Sequence, residues 1–135
     1  MLGILRANAG VGAEALSSLG VTLEGAREET ERVASEALLS VGISLKDIRM
    51  QAGDAFDMRV PDDRRLHFSP RAKKALGRAL HEARRLGDGH IGTEHVLLGI
   101  LGDEDGTAVR ILARMGVAKE ALGDRVLELR EREAR

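Results

Sequence analysis

The chain has 135 residues, enough for one compact domain, and its 21 basic and 22 acidic residues give it no general attraction to nucleic acid or an acidic membrane. The absence of cysteine excludes a disulfide framework and thiolate chemistry, and no apolar run approaches the roughly 18 residues of a membrane span. Because the only aromatic residues are two Phe, the core must be aliphatic, which suits packed helices better than sheets. We therefore expect a soluble, cytoplasmic, helical protein.

The first half of the chain predicts helices separated by glycine. One helix ends near Ala7, the next runs from about Val11 to Leu19, and a longer one follows at about 23–39. The segment 37–56 is expected to supply an extra helix. The polar stretch 58–67 contains a proline and many charges, so we interpret it as a linker.

The second half gives the clearest helix signal. Apolar residues recur at helical spacing from Ser69 to Leu86, where a serine N-cap and a following proline mark the start. Thr93 is a natural cap for a second helix, from Glu94 to Leu101. Two further helices are predicted at about 107–115 and from about 119 onward. No segment alternates like a strand, so the predicted fold class is all-α.

The chain also repeats itself at a separation of 96 residues. MLGILRANAG at the start matches LLGILGDEDG at 97–106, and the match continues without a gap to Gly20-Val21 and Gly116-Val117. A shorter echo at 37–48 is either a partial duplication or a corner that such helix pairs share. We interpret the chain as two related four-helix units in tandem, of which the first lacks its leading helix pair.

No arrangement of residues predicts catalysis, a cofactor or a metal. GDGHIG (87–92) formally matches a dinucleotide fingerprint, but it follows a helix, whereas that fingerprint needs a preceding strand. His90, Glu94 and His95 lack the i, i+4 spacing of a zinc site, and His95 is expected to pack against a neighbouring helix. No Ser, His and Asp arrangement pairs a nucleophile with a base.

Two residues carry alternative interpretations. Glu94 lies in the first turn of a helix, where the macrodipole favours a carboxylate, or it accepts a cationic group such as a guanidinium through a bidentate pair. Phe68 directly precedes the Ser-Pro cap. It packs onto its own helix as a hydrophobic staple, or it is a partly exposed anchor for a bound peptide.

The segment FSPRAKKALGRALHEARRLGDGHIGTEHVLLGIL, followed by ILARMGV, resembles the N-terminal repeat of the Clp family of AAA+ unfoldases, especially the ClpC and ClpA type. The residues that carry the resemblance are Phe68-Ser69, Arg71-Ala72-Lys73, Glu82-Ala83, Leu86-Gly87, Ile91-Gly92-Thr93-Glu94-His95 and Gly116-Val117. The likeness extends over most of the chain and is weakest at 34–64.

The resemblance implies a pseudo-twofold bundle of two four-helix repeats without catalytic activity of its own. In this family the domain receives substrates and adaptor proteins for the unfoldase ring, and ClpC-type members recognise phosphorylated arginine through acidic residues. The glutamate of the I-G-T-E-H motif maps to Glu94, with Thr93 beside it. Phe68 and Lys73 map to a surface that accepts peptide-like ligands, and Arg71 of the same helix start completes the candidate binding residues.

The chain departs from the family pattern in two ways. It has no Walker motif, so any unfolding activity belongs to a Clp ATPase partner. The counterpart of Glu94 in the first repeat would fall before residue 1. We expect a single domain over 1–135, with the incomplete repeat and extra helix at 1–57, the linker at 58–67 and the complete repeat at 68–135.

The missing helices are predicted to expose an apolar face on Leu2, Ile4, Leu5 and Leu16. Either the extra helix near 44–56 covers that face, or a second chain does so in a homodimer, and we favour the dimer. The alternative function is that of a helical scaffold or a DNA-binding regulator, because helix 69–86 is rich in Arg and Lys.

Overall fold

A computed structural model describes residues 1–52 and 68–135, and the predicted linker at 58–67 lies outside these residues. They fall in two compact units, one of residues 1–29 with 68–135 and one that contains residues 30–52. The described residues are helical and contain no strand, which confirms the all-α prediction. The helices are α1 (Leu2–Ala7), α2 (Val11–Ser18), α3 (Leu23–Leu39), α4 (Leu45–Ala52), α5 (Pro70–Leu86), α6 (Thr93–Leu101), α7 (Thr107–Arg114) and α8 (Lys119–Glu133).

Helix α5 begins and ends where its local sequence predicts. The Ser69 hydroxyl accepts a hydrogen bond from the Ala72 N–H at 3.2 Å, and Pro70 occupies the first helical position, where its missing N–H costs nothing. The helix ends at Gly87, whose φ of 76° lies in the left-handed region that favours glycine. The predicted start and stop signals of this helix are therefore confirmed.

Helices α5 and α6 cross at very close range. A Cβ atom placed on Gly99 of α6 would lie 2.4 Å from the Ala75 carbonyl oxygen and 2.8 Å from the Ala79 nitrogen. No real Cβ tolerates such contacts with backbone, so the glycine is what lets the two helices approach. The contact between α5 and α6 therefore depends on the missing side chain at Gly99.

The structure repeats at the same separation as the sequence. Helices α2 and α7 begin at Val11 and Thr107, and the helices after them begin at Leu23 and Lys119, both pairs 96 residues apart. Gly3 of α1 is the counterpart of Gly99, yet a Cβ there would meet nothing within 4 Å. Within residues 1–29 there is thus no counterpart of α5 against α1.

The core of the first unit joins both repeats. Its buried residues are Ile4, Leu5, Val11, Ala13, Ala15, Leu16, Val21, Ala26, Leu97, Leu101, Leu112, Val117, Leu122, Val126 and Leu129. The prediction that Ile4, Leu5 and Leu16 are exposed is wrong, because α1 packs on α2 and α2 packs on α6 and α8. Leu2 is partly buried against the same core. The face on which the sequence predicts a homodimer is therefore largely covered within the chain.

The second unit contains the end of α3 and the extra helix α4, which the sequence predicts within 37–56. The corner between them has Gly42 at φ 78°, and the Ile43 N–H donates to the Leu38 carbonyl at 2.9 Å. Val21 makes the equivalent bond and is buried, whereas Ile43 is 43% exposed. The echo at 37–48 therefore reproduces the backbone corner but not its burial.

Candidate binding site

The loop of residues 87–92 connects α5 to α6 and begins in a tight turn. The Asp88 N–H donates to the Ala83 carbonyl at 2.9 Å, and the Gly87 N–H donates to the Arg84 carbonyl at 3.2 Å. These bonds satisfy carbonyls that the end of a helix would otherwise leave free. They also place the Asp88 side chain beside the start of α6.

Asp88 is held by Arg130, 42 residues away in α8. The Arg130 Nε donates to Asp88 Oδ2 at 2.8 Å, and its Nη2 donates to Asp88 Oδ1 at 2.7 Å. Nη2 also donates to the Leu86 carbonyl at 2.9 Å. The bonds from Arg130 are the main cause that lowers the pKa of the Asp88 carboxyl from 3.8 to about 2, and burial opposes the shift. The same bonds raise the pKa of the Arg130 guanidinium.

His95 connects this pair to the first turn of α6. The ring is completely buried, and its Nε2 lies 2.9 Å from Asp88 Oδ2. Its Nδ1 accepts the Gly92 N–H at 2.9 Å. An ionised Asp88 can only accept, so the imidazole carries its hydrogen on Nε2 and leaves Nδ1 as the acceptor. His95 is therefore neutral here and fixes the N-cap residue of its own helix.

Glu94 follows in the first turn of α6 and is only 8% exposed. Its Oε1 lies 3.1 Å from His95 Nδ1, but that nitrogen is occupied by the Gly92 N–H, so the contact is not an ion pair. The carboxylate folds over Gly92, where a Cβ would lie 2.1 Å from Oε1. The φ of Gly92 is −97°, which any residue adopts, so this glycine provides space for Glu94 rather than backbone freedom.

Thr93 has a different role from the predicted one. Gly92 is the N-cap of α6, and Thr93 is the first helical residue. Its hydroxyl accepts the Gly12 N–H of α2 at 3.1 Å, and a Cβ on Gly12 would lie 2.6 Å from the Thr93 carbonyl oxygen. The prediction that Thr93 caps its own helix is wrong, because the hydroxyl instead binds the start of α2 in the first repeat.

The remaining candidate residues lie at the other end of α5. Arg71 donates to the Asp105 carbonyl at 3.4 Å and contributes to the wall of a 250 Å³ cavity next to the loop between α6 and α7. Lys73 is exposed, and Phe68 is 55% exposed, outside the core. Since α5 has 17 residues, its ends are roughly 25 Å apart. The structure thus separates Phe68, Arg71 and Lys73 from Thr93 and Glu94.

Sequence reasoning missed Asp88, Arg130 and Gly12. Asp88 lies in the glycine-rich loop and could have been chosen for its position, but nothing in the helical pattern of α8 marks Arg130 as its partner.

Among the described residues, no group of three or more His, Cys, Asp and Glu side chains is arranged to hold a metal ion. No helix in the described ranges is long and apolar enough to cross a membrane.

Comparison with known proteins gives consistent matches. The sequence matches the Clp repeat (R) N-terminal domain family over residues 29–115 and 67–135. It is 34% identical over 129 residues to the chaperone protein ClpB of Oceanobacillus iheyensis and 32% identical over 129 residues to the negative regulator of genetic competence ClpC/MecB of Bacillus subtilis. A ClpA homolog of Cyanidium caldarium, an ATP-binding subunit of the ATP-dependent Clp protease, is 34% identical over 130 residues. Each alignment covers 96% of this chain but only 13% of the relative.

Proposed function

The chain belongs to the family of Clp repeat N-terminal domains, and on that premise we propose that it is a non-enzymatic module that binds substrates or adaptor proteins for a Clp unfoldase or protease. Proteins that carry phosphorylated arginine are the proposed substrate class. The names of the relatives, which include a chaperone and an ATP-binding subunit of a Clp protease, support a role beside such a machine. The observation that carries the ligand class is the carboxylate of Glu94.

Glu94 is suited to a guanidinium because Asp88, Arg130, His95 and Glu94 together carry one net negative charge. The Asp88 carboxylate is bonded to Arg130 through both oxygens, and His95 is neutral. The remaining negative charge belongs to Glu94, at the mouth of α6. A guanidinium presents two parallel N–H donors that fit a carboxylate, and such charge-assisted pairs are among the stronger hydrogen bonds.

Calorimetric titration with a phosphoarginine peptide tests this proposal. We expect Glu94→Gln to weaken binding about 10- to 100-fold, since a hydrogen bond to a charged group contributes about 1.5–3 kcal/mol. Glu120→Gln is the matched control, because Glu120 lies in the first turn of α8 but its side chain is exposed. The same peptide with unmodified arginine tests the need for the phosphoryl group. Equal affinities of wild type and Glu94→Gln would refute the assignment.

The opposite end of α5 is proposed as a separate contact surface for peptides or adaptors. Phe68 exposes more than half of its surface there, and Lys73 of the same helix is exposed as well. Phe68→Ala should weaken binding of an adaptor peptide but leave the thermal midpoint almost unchanged, because the ring is outside the core. Phosphoarginine affinity should be unaffected, since Glu94 lies near the other end of the helix. A loss of both affinities would contradict the division into two surfaces.

A further inference from the structure

Arg130 connects three parts of the chain that determine the geometry of the loop before Glu94. Its guanidinium binds the Leu86 carbonyl at the end of α5 and both carboxylate oxygens of Asp88 in the loop. Arg130 belongs to α8, which also packs against α2 and α6. A single side chain of α8 therefore ties the Asp88 carboxylate to the end of α5, beside the start of α6.

The effect continues from Asp88 through His95. Asp88 Oδ2 accepts both from Arg130 Nε and from His95 Nε2, so the ion pair keeps an acceptor in front of Nε2. This fixes the tautomer that leaves Nδ1 free to accept the Gly92 N–H. In the other tautomer the Nδ1–H of His95 would face the Gly92 N–H, and the hydrogen bond between these two residues would be lost. The turn at Gly92, over which the Glu94 carboxylate lies, would then open.

We propose that Arg130 is a positioning residue for Glu94, which acts through Asp88 and the tautomer of His95 to hold the carboxylate for its cationic ligand. This inference rests on the proposed function. It differs from a role in stability alone, because a general clamp between helices would change the free energy of unfolding without changing the tautomer of His95 or the affinity for a ligand.

Arg130→Lys is the test variant, because lysine keeps the positive charge but cannot form the fork that reaches both Asp88 oxygens and Leu86. Arg125→Lys is the matched control. Arg125 is also in α8 and donates to Ser18 at 3.0 Å and to Glu128 at 2.8 Å, away from the loop. Asp88→Asn provides a second variant, since an amide has one acceptor oxygen where Arg130 and His95 together use both carboxylate oxygens.

Three measurements on the full chain decide the inference, all made well below the thermal midpoint. The ¹⁵N shifts of the His95 imidazole report its tautomer, and hydrogen exchange of the Gly92 amide reports the turn. We expect Arg130→Lys and Asp88→Asn to change both, and Arg125→Lys to change neither. The phosphoarginine affinity of Arg130→Lys should fall about tenfold, and the Glu94→Gln/Arg130→Lys double variant should bind no more weakly than Glu94→Gln alone.

The outcomes separate this inference from the proposed function. If Arg130→Lys leaves the His95 tautomer and Gly92 exchange as in the wild type, Arg130 does not position the loop and the inference is overturned. If the loop changes while affinity does not, or if the losses from Arg130 and Glu94 are additive, Arg130 is only structural, which also overturns it. If Glu94→Gln itself binds normally, the proposed function fails. The His95 shifts and the Gly92 exchange then decide by themselves whether Arg130 positions the loop.

Discussion

The crossing of α5 and α6 predicts opposite effects for the same substitution at two related positions. Gly99→Ala would place a Cβ 2.4 Å from one backbone atom of α5 and 2.8 Å from another, so the helices must separate. Overpacking lowers the free energy of unfolding by about 1–3 kcal/mol. Because backbone atoms cannot rotate away from the new Cβ, we expect a loss at the upper end, about 3 kcal/mol. The better helix propensity of alanine returns about 1 kcal/mol. The net loss of about 2 kcal/mol corresponds to a thermal midpoint about 8 °C lower in a chain of this size.

Gly3→Ala is the internal control, because Gly3 is the counterpart of Gly99 and has open space around it. It should gain about 0.5 kcal/mol from helix propensity alone, less than the interior value, because Gly3 lies in the first turn of the six-residue α1. The assay is urea unfolding followed by far-UV circular dichroism, since the chain lacks the Trp and Tyr that fluorescence requires. The reasoning is refuted if Gly99→Ala is as stable as the wild type, or if Gly3→Ala loses as much as Gly99→Ala.

Three further predictions concern the contacts between distant segments. Gly12→Ala should lower the free energy of unfolding by about 2 kcal/mol, because its Cβ would meet the backbone carbonyl of Thr93 in α6. Gly123→Ala is the control, since Gly123 has open space around it, and it should be neutral or stabilising in the same urea assay. The depressed pKa of Asp88 means that its contribution to stability is present above pH 3.8 and is lost as the pH falls towards 2. The difference in urea midpoint between wild type and Asp88→Asn should therefore shrink over that interval, and a constant difference would contradict the ion pair. Glu29 and Arg114 form an ion pair, and a double-mutant cycle should give a coupling energy of about 0.5–1 kcal/mol between them. If the stability losses of the two single variants simply add, the pair does not contribute.

Local signals predicted the helices well. The cap at Ser69, the stop at Gly87 and the 96-residue repeat all depend on residues near each other in the chain or on direct sequence identity. The chemistry of such short segments is largely independent of tertiary context, so the bounds agree within a residue or two.

The side-chain contacts of the candidate site could not be predicted from such local signals. Asp88 and Arg130 are 42 residues apart, and Thr93 finds its partner Gly12 81 residues away. The sequence pattern alone predicts that a charged residue on a helix is exposed to solvent, because its distant partner is not evident from the sequence. The burial of Ile4 has the same origin, since it depends on which helices pack together rather than on the pattern of the first ten residues.

The corner between α3 and α4 has a consequence for the order of folding. Gly42 has the same left-handed backbone as Gly20 and Gly116, and its corner closes with the same bond, although Ile43 remains partly exposed. A corner that forms without a buried apolar residue is encoded by contacts only five residues apart, and such contacts form early because little chain entropy is lost in closing them. We expect the three corners to form before the transition state. We expect the docking of α2 on α6 and α8, which are far apart in the chain, to follow and to limit the folding rate.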